Sequence, residues 1–153
     1  KKIDFAKFKI DAHGASLHDR VLINEIVLKK PLIYTLYVIF HEIAHQYQYK
    51  KYGIDKMYGL YLGEVPISEG AIWLKNVEEV ADDFAFRKIR ELSKKVDNVV
   101  LDIKSIKKNY NNIPLSKYEM LVKYTINLIN KEKITDKNDV GEIIFNNVIN
   151  NVN

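Results

Sequence analysis

The chain has 153 residues, 47% hydrophobic and 29% charged, the make-up of one globular domain and not of a disordered segment. It has no cysteine, which excludes a disulfide framework, a thiolate zinc site, an iron–sulfur cluster and a cysteine nucleophile. The net charge of +4 sits on the flanks: Lys/Arg against Asp/Glu number seven to four over 1–40, seven to nine over 41–93 and ten to seven over 94–153. A nucleic-acid partner is therefore not expected of the middle segment.

Residues 3–10 and 20–28 are rich in β-branched residues and read as strands, joined by a polar connection over 11–19 that contains Gly14. An antiparallel pair or small meander is the simplest arrangement. Pro31 falls at the first position of a helix predicted over 32–51, and Gly53 just past its end. That helix begins almost wholly apolar and turns polar after His45, so its first half is expected to be buried. Residues 53–70 hold four of the six glycines together with Pro66, and predict a loop.

A second helix is predicted over 77–94, with Asn76 as N-cap and Glu79 completing a capping box. Residues 96–113 fit no single pattern. Ser116 with Glu119 opens a helix to about residue 131, and a last helix near 138–150 ends in a fraying Asn-rich stretch. Strands followed by helices give an α+β fold. Its expected core, 1–95, is a small antiparallel sheet packed on the helices over 32–51 and 77–94. Residues 96–153 are expected as a helical extension packed on the same domain. The longest apolar stretch, Leu32 to Phe40, falls far short of the roughly 20 residues of a membrane span. No membrane association is expected, and the default location is cytoplasmic. The chain opens on Lys1-Lys2 without Met, as a trimmed start would.

Within the first helix His41-Glu42-Ile43-Ala44-His45 forms an H-E-x-x-H sequence. Four His and ten Glu in 153 positions give roughly 0.007 such matches by chance. Residues four apart stack on one helix face, about 6 Å apart along the axis, so two imidazoles reach one Zn²⁺ at roughly 2.0–2.1 Å each. Glu42 projects beside the ion, where it can take a proton from a water that the metal activates.

A catalytic zinc site needs a third protein ligand and an open position. No histidine follows His45, which excludes the metzincin and SprT-like patterns, whose third ligand is a downstream His. A carboxylate remains, or His13 or His18 from upstream. The best carboxylate is Glu78, with Asp82 one turn on to accept the free ring N–H of a ligand histidine and Ala81 small enough for the helices to approach. Glu79 with Asp83 behind it is a rival of the same spacing. A further rival is Asp55, ten residues after His45 in a D-x-x-Y-G stretch that resembles part of aspzincin sites.

The pairing of His41-Glu42-x-x-His45 with Glu78-x-x-Ala81-Asp82-x-Phe84-Ala85 resembles the ImmA/IrrE family of small gluzincin-type zinc peptidases. The resemblance covers about residues 20–92. It implies one zinc held by His41, His45 and Glu78, with Glu42 as general base, and a strand, here 20–28, along which an extended substrate pairs by its backbone. Ala44 departs from the family's usual Gly, Asp82 from its usual Asn, and no helix-turn-helix is evident. Relatives of this kind often cleave a transcriptional repressor in phages and mobile elements. The expectation is thus a zinc-dependent endopeptidase acting on a protein or peptide, a regulatory protein among the candidates. The alternative is a non-catalytic zinc-containing module for protein interaction or nucleic-acid binding. For the group that faces the developing oxyanion, Tyr58, Tyr61, His13 and His18 qualify by type and none by spacing.

Overall fold

The computed structural model describes residues 2–95 and 113–149. Its fold is α+β and mostly helical. Three short strands come first, β1 (Lys2–Ala6), β2 (Gly14–Leu17) and β3 (Arg20–Asn24), and four helices follow. These are α1 (Leu32–Gly59), α2 (Ile67–Ser93), α3 (Leu115–Lys131) and α4 (Lys137–Val148). Short 3-10 turns at Glu25–Lys29 and Leu60–Leu62 connect β3 to α1 and α1 to α2.

The sheet is mixed, not antiparallel as expected. Its order is β1-β3-β2, with β1 parallel to β3 (Ile3 opposite Val21) and β2 antiparallel to β3 (Ser16 opposite Val21). The polar connection between the two expected strands contains a strand of its own, β2. The chain must cross from one edge of β3 to the other to form it, which leaves β1 parallel. Asn24 pins that crossing, its backbone N–H donating to the His13 carbonyl and its side-chain amide to Ala12. The second half of the expected strand over 20–28 is the 3-10 turn, started by the Asn24 side chain accepting from the Ile26 N–H.

All three prolines, Pro31, Pro66 and Pro114, stand immediately before a helix. None caps its helix with a side chain; the ring holds φ near the helical value, and the proline carbonyl accepts from an N–H in the first turn. Pro66 therefore starts α2 ten residues earlier than the expected Asn76 cap. Likewise α3 begins at Leu115 behind Pro114, not at a Ser116 cap. The expected loop over 53–70 is largely helical. Gly53, at φ 79° and ψ 160°, kinks α1 and lets it resume to Gly59. Gly59 and Gly70 lie inside helices where Glu64 and Leu60 press close, so their small size serves packing. The segment over 96–112 and the Asn-rich end lie outside the described residues.

Alternation along β3 divides the core. Val21 and Ile23 join Val27, Tyr37, Val38, Ala85, Phe86 and Ile89 between the sheet and the α1/α2 pair. Leu22 points the other way and packs with Leu17 and with Val148 at the end of α4. A third cluster, Tyr58, Ile129 and Val140, ties the far half of α1 to α3 and α4. The C-terminal helices thus share the core and are not an appendage. Among the described residues no helix is long and apolar enough to cross a membrane.

Candidate metal centre

The first half of α1 packs against α2, so that His41, Glu42 and His45 face Glu78 and Asp82. Ala44, Ala81 and Ala85, all nearly or fully buried, keep the two helices close. His41, Glu42 and His45 each offer a ligand atom within 4.8 Å of the others. Glu78 is closer still to both imidazoles. His41 Nε2 lies 2.8 Å from Glu78 Oε2, His45 Nε2 lies 3.2 Å from Glu78 Oε1, and the two Nε2 atoms are 3.1 Å apart.

The opposite ring nitrogens are already committed. His41 Nδ1 bonds Asp82 Oδ1 at 2.8 Å, and His45 Nδ1 bonds Gln48 Oε1 at 2.7 Å. A carboxylate and an amide oxygen only accept, so each Nδ1 carries the hydrogen. With both Nδ1 positions so engaged, the two Nε2 atoms converge on the Glu78 carboxylate, an arrangement that calls for positive charge among them, a proton or a metal ion. The edge of a tetrahedron around an ion bonded at roughly 2.0–2.1 Å is about 3.3–3.4 Å, close to the separations here. The donor set, two imidazoles and a carboxylate, fits a divalent ion of zinc's kind.

The electrostatics carry the same message. Burial works against protonating His41, but hydrogen bonds to Asp82 and Glu78 and the charges of Glu78 and Glu42 outweigh it and raise its pKa well above the usual value. His45 is raised too, burial again opposing and Glu78 prevailing. Burial alone would raise Glu78, yet the His45 charge and the bonds from both imidazoles hold its carboxyl well below the usual range. Glu42, 7% exposed, is instead pushed up by burial, with the two imidazoles opposing. It makes no short bond to the imidazoles. The site holds a place for positive charge, with a carboxylate of raised proton affinity beside it.

The rivals do not come near. Glu79 and Asp83 are exposed, Glu79 lying 4.0 Å from Lys75. Asp55 is on the surface, 3.7 Å from Lys137. His18 is tied to Tyr58, its backbone N–H donating to the hydroxyl at 3.0 Å. His13 bonds the Tyr34 hydroxyl and lines the cleft without joining the donors.

Two cavities meet over the donor set, sharing Gly14, Glu42, Leu74 and Glu78. The larger, about 450 Å³, runs past His13, Val38, Lys117, Tyr118 and Leu121; the smaller, about 170 Å³, is walled by Tyr49, Met57, Tyr61, Trp73 and Val77. Strand β2 forms one rim. A β-carbon on Gly14 would lie 2.8 Å from Glu42 Cγ, so only glycine lets the strand sit flush on this carboxylate. The expected substrate-pairing strand over 20–28 does not hold: β3 is central, with both edges occupied, and the edge strand beside Glu42 is β2. Of the four oxyanion candidates, Tyr61 and His13 line the cavities, whereas Tyr58 is fully buried and His18 lies apart.

Sequence reasoning missed four contributors. Tyr37, one turn before His41, donates its hydroxyl to Asp82 Oδ1, and Gln48 follows His45 by three. Helical spacing would have found both. Gly14 and Tyr118 arrive only through tertiary contact. Burial pushes the Tyr118 hydroxyl up to about 12, with the charges of Glu78 and Asp82 adding to the effect. Comparison with protein-family models, with curated proteins and with solved structures finds no match to this chain.

Proposed function

We propose that this protein is a zinc-dependent endopeptidase of zincin-like architecture, with His41, His45 and Glu78 holding the ion and Glu42 as general base. The observation that carries the reading is the convergence of both Nε2 atoms on the Glu78 carboxylate while both Nδ1–H groups are engaged elsewhere. The ImmA/IrrE-like pairing of motifs supports the same reading. Zinc, when bound, supplies a Lewis acid that makes water nucleophilic near neutral pH and polarises a carbonyl.

The remaining work belongs to the chain. Buried and of raised proton affinity, Glu42 accepts the proton of the attacking water and delivers it to the leaving amine. Asp82, itself held by Tyr37, keeps His41 in the tautomer that presents Nε2. Tyr118 on the far wall of the cleft, with Tyr61 and His13, is within the set able to donate to the developing oxyanion. The cavities on both sides of the donor set leave room for chain before and after the scissile bond, which favours internal cleavage. The β2 edge offers backbone groups along that path.

The test is hydrolysis of terminally blocked peptides by the zinc-loaded protein. Cleavage at internal bonds, abolished by a chelator and restored by zinc, is expected. No hydrolysis of any such peptide with zinc bound would refute the proposal.

A further inference from the structure

We infer that Gln48 is a positioning residue of the metal centre: the two ends of its amide fix the ring of His45 and the stretch of α2 that carries Glu78. The inference rests on the metal-centre reading above. Gln48 is 7% exposed and lies one helical turn past His45. Its Nε2 donates to the Val77 carbonyl at 3.0 Å, and its Oε1 stands 2.7 Å from His45 Nδ1.

The orientation of the amide follows from its partners. The Val77 carbonyl can only accept, so the NH₂ end must face it, which turns the oxygen towards His45. An amide oxygen accepts only, so His45 Nδ1 carries a hydrogen, which leaves Nε2 as the nitrogen that can present a lone pair to a metal ion. Val77 directly precedes Glu78 in α2, so one side chain ties a ligand of α1 to the backbone beside a ligand of α2.

Gln46, two residues earlier, shows that the residue type alone does not do this. Its amide points to the β2–β3 turn instead, donating to the carbonyls of Leu17 and Arg20. The two ligand histidines are therefore supported differently, His41 by the charged Asp82 and His45 by a neutral amide.

The experiment measures zinc affinity by chelator competition for wild type, Gln48→Met and Gln48→Glu, with far-UV circular dichroism of each metal-free form. Gln48→Met removes both bonds at nearly constant shape, and a 10–100-fold loss of zinc affinity is expected. Gln48→Glu keeps the acceptor for His45 and is expected to bind zinc at least tenfold tighter than Gln48→Met. Equal affinity of Gln48→Met and wild type, or equal weakness of the two variants, overturns the inference while leaving the metal centre standing. Absence of zinc binding by wild type overturns both.

A measurement on wild type needs no variant to fold. In the long-range ¹H–¹⁵N spectrum of the zinc-loaded protein, His45 should carry its proton on Nδ1 with slow exchange. Fast exchange of that Nδ1 proton would overturn the inference, whereas a proton on Nε2 would overturn the metal-centre reading beneath it.

Discussion

Gly14→Ala tests how closely strand β2 governs the general base. Gly14 does not have positive φ, so the backbone itself accepts alanine, and the perturbation is one methyl group. That methyl would lie 2.8 Å from Glu42 Cγ, 2.9 Å from Oε1 and 3.0 Å from Cδ. Ordinary carbon–carbon contact begins near 3.5 Å, so the carboxylate must retreat by roughly 0.5–1 Å or β2 must lift by as much. A shift of about 1 Å in a catalytic group costs about 10²-fold in rate, and overpacking of this kind costs about 1–3 kcal/mol of stability. The three nearest atoms all belong to Glu42, so the clash falls first on the general base and not on the proposed zinc ligands. The expected outcome is kcat/KM reduced about 10²-fold with zinc affinity within a few-fold of wild type. The assay pairs peptide hydrolysis with chelator competition. Undiminished hydrolysis by a folded Gly14→Ala protein would refute the placement of Glu42, and an equal loss of zinc would show that the damage is to the ligands.

Other predictions concern the ligands and the core. Glu78→Gln should weaken zinc binding by more than tenfold in chelator competition, whereas Glu79→Gln, altering an exposed residue, should leave it unchanged. Phe86, 1% exposed and stacked on Tyr37 at 5.2 Å, should cost about 3–5 kcal/mol on Phe86→Ala, read by urea denaturation of the metal-free protein. Because His41, His45 and Glu78 are brought together only by folding, zinc at one hundred times its Kd should stabilise the protein by about 2.7 kcal/mol. At roughly 2–4 °C per kcal/mol this is a rise in Tm of about 5–11 °C.

The site was more legible in the sequence than the fold around it. His41, Glu42 and His45 stand at a spacing that one helix face turns into a cluster, and Glu78 with Asp82 repeats the device on α2; local periodicity suffices for both. The sheet is less legible. Strand β2 is only Gly14-Ala15-Ser16-Leu17, too short and too weakly alternating to stand out from a polar connection, and the parallel pairing of β1 follows from where β2 goes. Glycine density over 53–70 suggested a loop because composition does not distinguish a glycine needed for its dihedral angles, as at Gly53, from one needed for its size, as at Gly59. The start of α2 is hidden for a related reason. Asn76 and Glu79 match a capping box, but Pro66 begins the helix ten residues earlier, and a residue with cap-like chemistry inside a packed helix is simply carried along.

The central claim is that Glu42 performs proton transfer at a zinc ion held by His41, His45 and Glu78. Its most direct test measures zinc content and peptide hydrolysis side by side for wild type and Glu42→Gln. About one zinc per chain is expected in both proteins and hydrolysis by wild type alone, since the amide keeps the shape of the carboxylate but takes up no proton. Equal hydrolysis by the two proteins, or no zinc in wild type, would contradict it.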